Sequence, residues 1–287
     1  MLWGRVAIGK EPMTLGIISR RLGRMRDRKV KVFGERNTGT RAVVRMLRAH
    51  KGVSPAAPGY KENDLDGLQT RVDEKLKGFH HELFNDTLDD IRRSRLGGLS
   101  AWKHAAPIID ESYAAKNASV LFLLRDPYSW IAALYRNPYH ARAPLPDTLE
   151  GFLEQPWLTV QRDNIAPVLM SPMGLWNAKL RAYWAFSVAA PVPSTALYFE
   201  DFVLDPVGTL SSALAKFDIA TKGLAEVAEP TKKLGAGRKE RLKYYGSKAW
   251  EAEITPAAAA LINAYVDWDV ATHFGYRRRD PAEFEAG

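Results

Sequence analysis

The sequence predicts an α/β fold in three layers, a central parallel sheet flanked by helices, carried by a single domain over residues 1–287. Three observations carry that expectation. Residues 29–47 run from an alternating apolar stretch (Val30, Val32, Phe33) through a polar loop with two glycines. They then resume with Val43, Val44, Met46 and Leu47 at helical spacing. Val120 to Leu124 reads VLFLL, the unbroken apolar run of a strand buried on both faces. The composition, 46% hydrophobic and 26% charged over 287 residues, suits one globular unit with a large core.

The loop after the first strand comprises Gly34, Glu35, Arg36, Asn37, Thr38, Gly39 and Thr40, with Arg41 opening the helix. Strand, tight glycine loop and helix together form an anion cradle, because loop amides and the positive end of the helix face one point. Thr38 and Thr40 add hydroxyl donors, and Arg36 and Arg41 add fixed charge. The nucleoside-triphosphate form of such a loop places Lys-Ser or Lys-Thr after the second glycine, and no lysine follows Gly39.

Charge is concentrated around this loop. Residues 1–50 hold 13 Lys/Arg against 3 Asp/Glu, and residues 231–250 hold 7 against 1, within a net charge of +8. Two basic clusters beside an anion loop fit a polyanionic ligand, although charge runs are commonly solvated faces. The chain has no cysteine, which excludes a disulfide framework, a thiolate metal site and a cysteine nucleophile. Residues 1–28 read as a basic leader without the continuous apolar centre of a signal peptide. Residues 13–28 have the pattern of a basic amphipathic helix suited to peripheral contact with anionic lipid, and a leader helix packed on the domain is the plainer reading. A cytoplasmic location, at the inner face of the membrane if that contact is made, is the expectation.

Along the chain, residues 54–62 read as a surface excursion and residues 75–95 as a polar helix stopped by Gly97-Gly98. Leu99 to Pro107 reads as a second core strand with Lys103 and His104 at its C-terminal end, where open α/β sheets line their ligand crevice. Arg125 follows VLFLL directly, and Pro127 then suits the first turn of a helix through Tyr135. Residues 140–190 mix Phe152, Trp157, Trp176, Tyr183, Trp184 and Phe186 with Pro156, Pro167 and Pro172. That mixture predicts loops and short helices forming a lid or acceptor region, with most of the aromatics serving as core. Ser194 to Asp201 reads as a further strand, residues 206–217 and 256–274 as helices, and the tail after Arg277 as frayed.

These segments, in this order, resemble the sulfotransferases that use 3′-phosphoadenosine-5′-phosphosulfate (PAPS). GERNTGT at Gly34–Thr40 is similar to the 5′-phosphosulfate loop of a bacterial branch with the pattern G-E-R-x-[ST]-G-T. Trp102-Lys103-His104 resembles that branch's W-K-H motif. Arg125 to Tyr135 resembles the 3′-phosphate segment R-[ND]-P-x-[DS]-W-x-x-[SA]-x-[YFH], and Pro138-Tyr139-His140 its P-[WY]-H. Phe199 to Pro206 resembles Y-E-D-[LMF]-x-x-D-P, with Phe199 in the tyrosine position. Two positions depart: Ala133 stands where a second serine donor to the 3′-phosphate is common, and Asn37 where the cytosolic enzymes carry a lysine.

The resemblance implies a P-loop-type fold and sulfuryl transfer from PAPS to a hydroxyl acceptor, a glycan or glycolipid by first expectation. His104 would be the general base, and Lys103 would steady the sulfonate oxygens. Arg36 would neutralise the bridging oxygen, with Glu35 a second-ranked base. The donor, and its product adenosine 3′,5′-bisphosphate, would be held by Gly34 to Arg41, by Arg125 and Ser129, and by Arg238 and Lys239 of the basic C-terminal cluster. No metal and no nucleic-acid partner is implied. The competing readings are a nucleotide-dependent kinase and a non-enzymatic basic protein that binds nucleic acid or membrane.

Overall fold

A computed structural model describes residues 28–51, 53–56, 81–227 and 237–285. Four parallel strands form the central sheet: β1 (Arg28–Gly34), β2 (Val53–Pro55), β3 (Ala118–Leu124) and β6 (Ser194–Tyr198), in the order β2-β1-β3-β6. Two short strands, β4 (Trp157–Leu158) and β5 (Val168–Leu169), make a separate antiparallel pair. The helices are α1 (Thr40–Ala49), α2 (His81–Leu96), α3 (Ser112–Ala115), α4 (Pro127–Arg136), α5 (Leu149–Glu154) and α6 (Pro172–Ala189). They continue with α7 (Phe199–Leu204), α8 (Pro206–Ala215), α9 (Arg238–Gly246), α10 (Pro256–Tyr265) and α11 (Trp268–His273).

Alternation along β1 and β3 sorts the side chains into two cores, one on each sheet face. Val30, Val32, Leu121 and Leu123 pack with Val43, Met46 and Leu47 of α1 and Leu210 and Leu214 of α8. Phe33, Val120, Phe122 and Leu124 pack on the other face with Trp130 of α4, Trp176 and Tyr183 of α6 and Ile262 of α10. All seven residues of β3 are buried, as a central strand covered by helices on both faces requires. Lys31 interrupts the second of these faces. Its ammonium donates to the Ala101 carbonyl and lies 4.8 Å from the Phe33 ring. Burial pulls its pKa down to about 7 against the opposing pull of Asp89.

The chain leaves β1 toward β2 on one side, then returns past β1 to β3 and β6 on the other. The order therefore reverses between β1 and β3, and their C-terminal ends bound the crevice where such sheets take ligands. Gly34 and Leu123 are register partners, so the segments after both strands emerge side by side.

Several expectations need correction. Leu99–Pro107 is not a strand: a short 3-10 turn (Gly98–Ser100) leads into an irregular crossing of the β1 end. The amides a ladder would use are taken by side chains. Gly98 N donates to Asp110 at 2.6 Å, Leu99 N to Ser112 at 3.0 Å and Trp102 N to Asp89 at 2.8 Å. The last strand stops at Tyr198, and Phe199, Glu200 and Asp201 already belong to α7. At the start of the expected excursion, residues 53–55 pair with β1 as an edge strand. Residues 57–62, like residues 1–27, 75–80, 228–236 and 286–287, lie outside the described residues, and so does the basic leader but for Arg28.

Residues 140–171 are loops and short elements, as expected, but residues 172–189 are not. They form the 18-residue α6, because Pro172 opens that helix at its first turn instead of breaking it. Phe152, Trp157, Trp176, Tyr183 and Phe186 are core, and only Trp184 reaches solvent. The tail is docked through residue 285 rather than frayed: Phe284 is buried, Arg279 pairs with Glu251 and Glu283, and its amide donates to the Tyr128 hydroxyl. Among the described residues no helix is long and apolar enough to cross a membrane.

Candidate functional site

The loop between β1 and α1 closes on itself before it offers anything outward. Gly34 is wedged: a Cβ there would meet Leu123, Thr38 and Thr40 side-chain atoms, each at 2.8 Å. Gly39 caps α1 at φ 82°, a left-handed backbone that favours glycine. The Thr38 hydroxyl donates back to Glu35 O at 2.6 Å, so it locks the turn and is not an outward donor. Gly39, Thr40 and Arg41 face an open cleft of about 800 Å³ at the start of the helix, where the first amides lack intrahelical partners.

Arg36 and Arg125 both wall this cleft, with different commitments. Arg36 is 1% exposed and gives Nη1 and Nη2 to the two Asp163 oxygens, at 3.0 and 2.9 Å, and Nη1 also to Glu35 at 2.6 Å. Lys179, fully buried on α6, donates to the Asp163 main-chain oxygen at 2.7 Å and its carboxylate at 3.1 Å. Burial alone would raise the Asp163 pKa; Lys179 and Arg36 override it and hold the carboxyl well below the usual range. Two cations and two carboxylates thus neutralise one another beneath the loop.

Arg125 is 2% exposed, yet its fork is incompletely used. Nε donates to Ser129 Oγ at 2.9 Å and Nη1 to Asn37 O at 2.7 Å, while Nη2 makes no hydrogen bond with any described residue. The guanidinium lies 4.1 Å from the Phe199 ring centre and 5.4 Å from that of Tyr245. Ser129 therefore stands behind Arg125 and orients it, and does not itself line the cleft, whereas Ala133 does. Two indoles fix the backbone at both arginines: Trp130 donates to Arg36 O at 2.9 Å and Trp176 to Arg125 O at 3.0 Å.

Lys103 and His104 cross the end of β1 and face the same cleft. Gly34 N donates to Lys103 O at 3.0 Å, and His104 Nδ1 lies 2.5 Å from Gly34 O. A carbonyl only accepts, so Nδ1 carries the proton and Nε2 keeps its lone pair. Burial, reinforced by the positive charges of Lys103 and Arg36, holds the imidazole well below its ordinary pKa. The ring is a neutral, fixed tautomer at pH 7, with Trp102 edge-on at 4.9 Å.

The structure thus gathers Arg36, Asn37, Gly39, Thr40, Arg41, Lys103, His104 and Arg125 around one cleft. Gly34, Glu35, Thr38 and Ser129 lie just behind as framework. Arg238 and Lys239 are not part of that wall. Arg238 is on α9, paired with Glu226 beside a smaller cavity of about 90 Å³, and Lys239 is exposed. From the expected acceptor region, only His140 and Arg162 reach the cleft. Sequence reading missed Asp163 and Lys179. Lys179 left a signal, since it falls on the buried face shared by Trp176, Leu180 and Tyr183. No family model and no curated protein matches this chain.

Proposed function

We propose that this chain is a PAPS-dependent sulfotransferase on a P-loop-type fold, acting on a hydroxyl acceptor. The observation that carries the reading is convergence. The β1 loop and Arg125, emerging from two adjacent strand ends, address one cleft, and between them stands a neutral histidine with a free Nε2. A phosphosulfate would lie against the amides of Gly39 to Arg41, and the nucleotide's second phosphate would lie beside the Arg125 guanidinium where it walls the cleft.

In the reaction, the acceptor oxygen forms a bond to sulfur as the bond from sulfur to the bridging phosphate oxygen breaks. The electron pair leaves on adenosine 3′,5′-bisphosphate, and His104 Nε2 takes the acceptor's proton. Burial first, and then the charge of Lys103, depresses the pKa of His104. A polyanion bound beside Lys103 would offset that charge and raise the imidazole's pKa toward its ordinary value, so the base strengthens when the donor is in place. Arg36, whose Nη1 and Nη2 are held by Glu35 and Asp163, shapes the loop, and the backbone amides carry the developing charge.

Two measurements test this. Adenosine 3′,5′-bisphosphate at about a hundredfold excess over its Kd should raise the melting temperature by roughly 5 °C. No shift removes the donor assignment, and stabilisation by magnesium-ATP instead favours a kinase. His104→Ala should lower turnover about 10²- to 10⁴-fold with bisphosphate affinity near that of the parent. Retained turnover places the base elsewhere.

A further inference from the structure

The cleft continues past His104, away from Arg125, along α2. Asn85, Asp89 and Arg92 succeed one another at intervals of four and three, so they share one helix face, and all three line the cleft. Trp102 stands against them, its amide held by Asp89 at 2.8 Å. Most charge at this end is spent internally. Arg162 is paired with Glu82 and Asp86 and lies 4.4 Å from the Trp102 ring, His140 contacts Glu82 at 3.1 Å, and Asp89 is paired with Arg93.

Arg92 is the exception. It is half-buried, its Nε is shut from solvent without a hydrogen-bond partner, and it has no ion pair with any described residue. A partly desolvated guanidinium without a counter-charge is costly, and a bound anion would relieve that cost. In the proposed reading the donor's phosphates are met by the β1 loop and Arg125, and Arg92 stands on a separate element, α2, so this anion would belong to a different molecule. Beside Arg92, the Asn85 amide both donates and accepts, as neighbouring sugar hydroxyls require. Tyr139, 51% exposed at the rim, offers an open ring face.

Resting on the sulfotransferase reading, we propose that the acceptor is an anionic saccharide. Its carboxylate or sulfate ester is gripped by Arg92 while its reacting hydroxyl lies at His104. Arg92 is then the specificity residue of the acceptor end.

The test uses the full chain and three matched oligosaccharides: one containing uronic acid, its carboxyl-reduced neutral counterpart, and that neutral chain bearing a sulfate ester. Equilibrium binding of each, without donor, should favour one or both anionic forms by tenfold to a hundredfold. Arg92→Gln should collapse the anionic-to-neutral ratio toward one, with an unchanged melting temperature showing that the fold is intact. In transfer assays the same variant should raise KM for the anionic acceptor more than it lowers kcat. Whichever anionic form loses most in the variant identifies the group. Equal binding of charged and neutral chains, or a preference that survives Arg92→Gln, overturns the proposal. Absent bisphosphate binding with an intact saccharide preference would instead remove the donor reading and leave the anionic subsite standing.

Discussion

Two arginines leave adjacent strand ends, are equally hidden from solvent, and do opposite things. Arg36 is met by two carboxylates, one of them, Asp163, also held by Lys179, so its charge is largely balanced inside the protein. Arg125 is met by a serine, a carbonyl and two aromatic rings. Each arginine leaves one buried nitrogen without a hydrogen bond to a described residue, Nε of Arg36 and Nη2 of Arg125, so the difference lies in the partners. Burial therefore does not say whether a cation serves the fold or a ligand; the identity of its partners does. A guanidinium neutralised by carboxylates has little field left for a guest, whereas one cradled by neutral groups keeps most of it.

The contrast is broken most easily at Asp163. Replacing it by asparagine leaves Arg36 and Lys179 buried with one remaining carboxylate, which should cost roughly 3–5 kcal/mol, read from the urea midpoint. Arg125→Gln should cost the fold at most about 1.5 kcal/mol, yet lower bisphosphate affinity about tenfold to a hundredfold by calorimetry. If the two variants exchanged profiles, with Asp163→Asn weakening the ligand and Arg125→Gln unfolding the chain, the roles assigned to the two arginines would be reversed.

What the sequence made legible follows the same division. β1, the glycine loop, α1, β3 and the proline-led α4 were readable because each is set by local pattern: alternation, an apolar run, a proline at a first turn. His104 was read at the cleft although its segment was misread, since its position depends on crossing the end of β1 and not on being a strand. Asp163 was not legible. It lies in the polar run Gln161-Arg162-Asp163-Asn164, which looks like a surface turn, and it is buried only because Arg36, 127 positions away, and Lys179 converge on it. The aromatic stretch through α6 was half legible, with core composition evident and helix continuity masked by Pro172, which sits at the helix's first turn.

The smallest effect sharpens the comparison through pH. On the Arg36 side Lys179 and Arg36 override burial and keep Asp163 ionised at neutral pH. On the Arg125 side, Glu200 accepts the Asp126 amide at 2.9 Å and lies 3.5 Å from Ser129 Oγ, with Asp126, Arg125, Tyr198 and Tyr276 also facing this cluster. Burial raises its pKa from 4.5 to about 7. The folded protein then holds a proton on Glu200 that the unfolded chain has released, so this group's contribution to stability is fullest below about 4.5 and declines as pH rises to about 7. The decline should be on the order of 1–3 kcal/mol in pH-dependent urea melts, and Glu200→Gln should flatten it. The same ionisation puts a negative charge behind Arg125, so bisphosphate affinity should weaken by a few-fold across neutrality in the parent and not in Glu200→Gln. A slope unchanged by that substitution would mean that Glu200 is ionised throughout, and that the neighbourhood of Arg125 is as electrostatically settled as that of Arg36.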